Sequence, residues 1–147
     1  MLKFTRKIED SATAAATLTL PWSQRTKSRQ RVRLDNGEEA GLFLDRGVIL
    51  RDGDRLMAEN SSIIQIRAAA ETVSTVCCPT SLQLARVCYH LGNRHVDLEI
   101  SEQQVRYPHD HVIDDMIQAL GFTVVIEQVP FEPEAGAYGT AHGHHHG

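Results

Sequence analysis

Residues 72–129 read TVSTVCCPTSLQLARVCYHLGNRHVDLEISEQQVRYPHDHVIDDMIQALGFTVVIEQV, and this stretch decides the fold. Residues 72–78 have the composition of a strand. Pro79, Thr80 and Ser81 then open a helix, with a hydroxyl residue placed to cap it. Leu82, Ala85, Val87, Cys88 and Leu91 recur as one apolar helical face, and Gly92 supplies the stop. Residues 96–100 and 104–107 read as two strands. Pro108 precedes a second helix capped by Asp110, with Ile113, Met116, Ile117 and Leu120 along one face. Gly121 ends that helix, and residues 122–129 form a last strand. The order β-α-β-β-α-β is the ferredoxin-like pattern.

Toward the N-terminus the pattern changes to short strands. Residues 17–20 and 31–34 alternate polar and apolar, and Asp35-Asn36-Gly37 marks a tight turn. Residues 39–44 form the return strand, with Leu42 and Leu44 on one face. Arg46-Gly47 is another turn, residues 48–50 another strand, and Asp52-Gly53-Asp54 a third turn. Residues 55–58 and 62–67 complete the set, with Ile64 and Ile66 on one side. Such spacing predicts a small β-sandwich or barrel. From Pro130 onward the chain is polar and rich in Gly, Pro and His, which reads as a flexible tail. The expected organisation is α+β: a β-rich domain over 1–70, a ferredoxin-like domain over 71–132 and a His-containing tail over 133–147.

With 41% hydrophobic and 23% charged residues, the chain can bury a core. Its net charge of -4 argues against a nucleic-acid binder, which needs a basic footprint. No window approaches ~18 continuous apolar residues, so no transmembrane helix is expected and no membrane partner. The first twenty residues lack an apolar signal-peptide core, because Thr17 and Thr19 break the run from Ala14 to Leu20. Three cysteines without framework spacing do not form a disulfide scaffold, so a cytoplasmic protein with reduced thiols is expected. GxxxxGK[ST], HExxH and GxSxG are all absent, and no nucleophile stands beside a convincing base. A non-enzyme is the better expectation.

Eight histidines stand beside those three cysteines. His142, His144, His145 and His146 form a His-rich tract whose composition implies metal binding. Imidazole suits Ni, Cu, Zn and Fe. A purification tag is usually an uninterrupted run, whereas this tract is broken by Gly143 and ends in Gly147, which favours a native tail. His109 and His111 bracket Asp110 at the start of the second helix. The positive end of the helix macrodipole disfavours imidazolium there, leaving the rings available as ligands. The competing reading is two solvated polar residues at a helix start. His95 follows Gly92-Asn93-Arg94 past the first helix, and His90 lies near that helix's end. A lone histidine there is usually a dipole partner or a hydrogen-bonding surface residue. One histidine does not hold a metal by itself, but an isologous two-fold contact would set it against its own copy. Cys77 and Cys78, adjacent in a strand, point to opposite faces and do not chelate one ion. With Cys88 on the apolar helix face, all three read as buried or structural. Arg25, Lys27, Arg29, Arg31 and Arg33 alternate, which reads as a solvated strand face more readily than as a dock for an acidic partner.

Together these residues carry a family likeness. The run 28–37, SRQRVRLDNG, with Gly41-Leu42-Phe43-Leu44, Arg46-Gly47 and Leu50-Arg51-Asp52-Gly53-Asp54, resembles the first domain of the UreE urease accessory protein family. Gly92-Asn93-Arg94-His95 resembles that family's central metal motif. Asp110-His111-Val112 and Leu120-Gly121 resemble its second helix, and the His-rich end is similar too. The likeness covers nearly the whole chain, and the combination is specific where each piece alone is not. It implies a nickel metallochaperone with Ni(II) as cargo; by ligand chemistry Zn(II) and Cu(II) are ions that such histidines also bind in vitro. It implies a peptide-binding-like N-terminal β-domain and a ferredoxin-like C-terminal domain that binds metal and dimerises. In the implied homodimer, His95 from each subunit meets at an interface metal site. His109 and His111 match further metal-binding histidines of some members, and His142, His144, His145 and His146 match a variable tail, here short. His90 has a counterpart in some members and ranks below the others. The implied partners are an accessory GTPase and apo-urease, whose metallocentre would receive the nickel. Two other readings compete: a histidine-based metal store or detoxifier with the tail as a sponge, and a protein-interaction module whose β-domain binds an extended segment.

Overall fold

The computed structural model describes residues 1–9 and 13–136. The chain divides into two compact units, residues 1–69 and residues 70–135. The first unit contains β1 (Leu2–Ile8), β2 (Ala16–Leu20), the one-turn helix α1 (Trp22–Arg25), β3 (Arg29–Arg33), β4 (Glu39–Phe43), β5 (Arg55–Ala58) and β6 (Ile63–Ala68). They form one sheet in the order β2-β6-β5-β1-β4-β3, curled into a nearly closed barrel. Alternation sets its interior: Leu18 and Leu20, Leu56 and Ala58, and Ile64 and Ile66 all point inward and pack with Phe4 and Leu42. The two edge strands are stitched by Asp35. Its N–H donates to the Thr17 carbonyl at 2.9 Å, and its carboxylate accepts from the Thr17 and Thr19 hydroxyls at 2.6 and 2.8 Å.

Three features of this unit depart from the sequence reading. Residues 2–8 are a strand, and a central one: β1 pairs in parallel with β4 and antiparallel with β5. Its charged residues hide the pattern, because Phe4 alone is fully buried. Residues 48–50 are not a strand. The Leu50 side chain is buried, and its backbone is satisfied by Arg25 instead of a neighbouring strand. The Leu50 N–H donates to the Arg25 carbonyl at 3.0 Å, and Arg25 donates back to the Leu50 carbonyl at 3.3 Å. Arg25 therefore leaves the expected solvated face. It is fully buried, donates also to the Leu20 carbonyl at 3.0 Å and lies 5.4 Å from the Trp22 ring. Arg29, Arg31 and Arg33 are exposed along β3.

The second unit contains β7 (Ala70–Cys77), α2 (Ser81–Gly92), β8 (Glu99–Ile100), β9 (Gln104–Pro108), α3 (His111–Ala119) and β10 (Val124–Pro130). The sheet order β10-β7-β9-β8, with every neighbouring pair antiparallel, gives the ferredoxin-like arrangement. Both helices start where their caps dictate. The Thr80 hydroxyl accepts from the Gln83 N–H, and the Gln83 side chain accepts from the Thr80 N–H, a reciprocal capping box. The Asp110 carboxylate accepts from the N–H groups of Val112 and Ile113 at 2.9 and 3.3 Å. Gly121, at φ 97°, takes the left-handed position that ends α3.

The buried faces differ in detail from the expected ones. Val87 and Leu91 are the buried residues of α2, flanked by Leu84 and Cys88, while Leu82 is 70% exposed and Ala85 is exposed. On α3 the buried Ile117 shares its face with a buried Asp114. The packed chain also runs past Pro130, further than its polar composition suggests. Phe131 is buried, and the N–H groups of Glu132 and Glu134 donate to the Glu99 side chain and the Leu98 carbonyl. No helix among the described residues is long and apolar enough to cross a membrane.

Candidate metal centre

α2 does not stop at Gly92 by a left-handed glycine. Gly92 is its last helical residue, Asn93 follows in right-handed conformation, and the chain turns at His95 with φ 56°. The turn is held by N–H donation from Arg94 to the Leu91 carbonyl and from His95 to the Gly92 carbonyl, both at 3.0 Å. A left-handed residue with a Cβ costs about 1–2 kcal/mol, and such strain collects at functional positions. The backbone thus sets the direction of the His95 side chain, which is exposed. His90 lies half-buried in the last turn of α2, edge-on to the Tyr89 ring at 5.2 Å. That position suits a C-terminal dipole partner.

His109 is placed by the sheet. Its N–H donates to the Thr72 carbonyl at 3.1 Å, continuing the pairing of β9 with β7 past Pro108. Ser74 and Tyr107 are cross-strand partners on the face where α3 packs. Asp114 comes down on them from α3. Its Oδ1 accepts from the Ser74 hydroxyl at 2.6 Å and from the Tyr107 hydroxyl at 2.5 Å. Its Oδ2 lies 3.1 Å from His109 Nδ1, and Ser74 Oγ lies 3.2 Å from the same nitrogen. Burial, reinforced by the Asp114 carboxylate, pushes the Tyr107 hydroxyl above its ordinary pKa and keeps it a donor. The His109 side chain is 33% exposed against 9% for Asp114, so solvent reaches the ring while its support is dry. His111 is exposed as the first residue of α3, just beyond the Asp110 cap.

The histidines of the second unit therefore occupy two corners, the turn after α2 and the junction of β9 with α3. Among the described residues no three His, Cys, Asp or Glu groups converge to hold one metal ion. His142, His144, His145 and His146 lie outside the described residues. Of the cysteines, Cys78 is buried and Cys88 half-buried, and burial pushes both thiols up, away from the thiolate a metal needs. Cys77 is exposed, its side chain taking the opposite face of the strand end from the buried Cys78, as the alternation predicts. The residues missed in the sequence are Asp114, Ser74 and Tyr107. Their signal was an acidic residue at 114, one turn before Ile117 on the apolar face of α3.

Comparison with known proteins covers both units. The family model described as the UreE urease accessory protein N-terminal domain matches residues 2–69, and that of the C-terminal domain matches residues 71–147. A protein of Citrobacter koseri named urease accessory protein UreE is 53% identical, with 100% of this chain and 98% of that protein covered. Proteins of the same name from Alkalilimnicola ehrlichii and Pseudomonas putida are 56% and 54% identical, covering 95% and 96% of this chain and 85% and 88% of theirs.

Proposed function

The chain belongs to the UreE urease accessory protein family, and from that premise we propose that it serves urease maturation as a nickel metallochaperone. It carries Ni(II) as cargo in the cytoplasm and delivers it, through an accessory GTPase, to apo-urease as the metallocentre is assembled. The observation that carries this reading is His95, exposed and turned out by a left-handed backbone in the Gly92–His95 corner. One imidazole is too few for a tight site, so the core site is shared: two copies meet across a two-fold axis and each contributes His95. His109 and His111 supply further ligands, and the tail histidines His142, His144, His145 and His146 act as auxiliary collectors.

Ligand chemistry supports a carrier. Exposed imidazoles exchange their metal more readily than a closed thiolate cage would, and a carrier must let its metal go. It needs no catalytic residues. By the ordinary order of affinities Cu(II) binds such ligands more tightly than Ni(II), and Zn(II) also competes, so selectivity comes from availability and partners.

The alternative is histidine-based storage or detoxification. Ni(II) calorimetry combined with mass measurement of the oligomer separates the two, using the full chain and a deletion of residues 141–147. The carrier reading expects a dimer that keeps a tight site after deletion. Loss of nearly all capacity in the deleted chain would favour storage. Absence of micromolar metal binding in both would favour an interaction module.

A further inference from the structure

The ring of His109 has two nitrogens, and only a neutral nitrogen lone pair can take a metal. Which nitrogen carries the proton follows from what surrounds Nδ1. The Ser74 hydroxyl has one proton, and it goes to Asp114 Oδ1 at 2.6 Å. Ser74 Oγ, 3.2 Å from Nδ1, is therefore left as an acceptor toward the ring. Tyr107 likewise gives its proton to Asp114 Oδ1. With two hydroxyls donating to its other oxygen, the Asp114 carboxylate presents Oδ2 to Nδ1 as a second acceptor at 3.1 Å. Nδ1 faces acceptors only, so it must be the donor.

We propose that Asp114 is a positioning residue that, with Ser74 and Tyr107, holds His109 as its Nδ1–H tautomer and so makes Nε2 its metal-binding nitrogen. Carboxylate support of a ligating histidine fixes the ring's orientation and raises its basicity. The arrangement is built from distant parts of the chain. Ser74 comes from β7, Tyr107 and His109 from β9 and its end, and Asp114 from α3. Folding of the second unit is thus what prepares the ring. The part concerning metal rests on the reading of His109 as a nickel ligand; the part concerning the tautomer does not.

The first test is the ¹⁵N spectrum of the full, metal-free chain at about pH 8.5, above the range where an ordinary imidazole titrates. His109→Ala identifies the resonances. The expected result is a protonated Nδ1 and an unprotonated Nε2 for His109. An Nε2–H tautomer would overturn the proposal. Asp114→Leu, which removes the carboxylate acceptor while keeping bulk, should move His109 toward the Nε2–H form usual for free imidazole; an unchanged tautomer in a folded variant would also overturn it. Should that variant not fold, Tyr107→Phe weakens the support without touching the ring, and the wild-type spectrum decides the tautomer in any case. The second test is a Ni(II) affinity cycle. Asp114→Leu should weaken nickel binding about tenfold or more and have no further effect in a His109→Ala chain. An equal loss in both backgrounds would mean that Asp114 does not act through His109, and would overturn the positioning role. If His109→Ala leaves nickel binding unchanged, the ligand reading of His109 fails, while the spectrum still decides the tautomer.

Discussion

The two histidine corners of the second unit are prepared in opposite ways. At His95 the backbone is constrained and the ring is exposed: φ 56° fixes the direction of the side chain, and among the described residues nothing hydrogen-bonds the imidazole. At His109 the backbone simply extends a strand, and the ring is constrained through Nδ1 by the buried Asp114. The first device leaves the ring free to meet a ligand set completed elsewhere. The second fixes one nitrogen in advance. The contrast teaches that the position and the protonation of a ring can be controlled by separate parts of the fold.

Stability measurements test this contrast most strongly. Asp114→Ala strands the buried Ser74 and Tyr107 hydroxyls without their acceptor. Leaving buried polar groups unsatisfied should destabilise the second unit by about 3 kcal/mol in denaturant unfolding. His95→Ala, at an exposed position, should change stability by less than about 0.5 kcal/mol. Equal effects would erase the distinction between the corners. Tyr107→Phe keeps the ring packing and removes one donor to the carboxylate, so a smaller loss of about 1.5 kcal/mol is expected. A loss as large as that of Asp114→Ala would mean that packing, not hydrogen bonding, dominates there.

His95→Gly sharpens the same comparison with the opposite sign. Glycine accepts a positive φ without strain, so the variant should gain up to about 1 kcal/mol while losing the proposed core ligand. A stability gain coupled to a binding loss is the signature of strain kept for function. A clear stability loss would show that the His95 side chain contributes to the fold. The smallest effect belongs to Asp35 in the first unit. Partial burial raises its pKa, but hydrogen bonds from Thr17 and Thr19, with the charge of Arg67, outweigh this and hold it below the ordinary value. Its stabilisation is therefore present above the unfolded carboxylate range and fades as pH falls through the lower folded value, below about pH 4. Asp35→Asn should flatten that acid dependence in the first unit and leave nickel binding untouched. A change in nickel affinity would tie the first unit to the metal site.

The second unit was legible in the sequence because its signals were local. Thr80 and Asp110 cap helices that begin where expected, and Gly121 ends the second of them. The helix faces were less legible. Gly92 read as the stop of the first helix, yet the left-handed position fell to His95, a residue that pattern alone does not place there. In the first unit β1 was hidden by its charged alternate residues, and Leu50 resembled a strand residue because a buried apolar side chain reads alike in a strand or a loop. Arg25 looked solvated within a basic alternation, yet the carbonyls of Leu20 and Leu50 needed a donor inside the core. The individual histidines could be named from the sequence. The network behind His109 could not, because Ser74, Tyr107 and Asp114 meet only after two strands and a helix have packed.

The central claim is that His95 is the essential core ligand and His109 a preset auxiliary one. Its most direct test is Ni(II) titration by calorimetry of the full chain, its His95→Ala variant and its His109→Ala variant, with the oligomer mass recorded for each. The prediction is that His95→Ala abolishes the tight phase, whereas His109→Ala keeps it and loses a weaker one, with the dimer mass unchanged throughout. A tight phase of unaltered stoichiometry and affinity in His95→Ala would contradict the assignment.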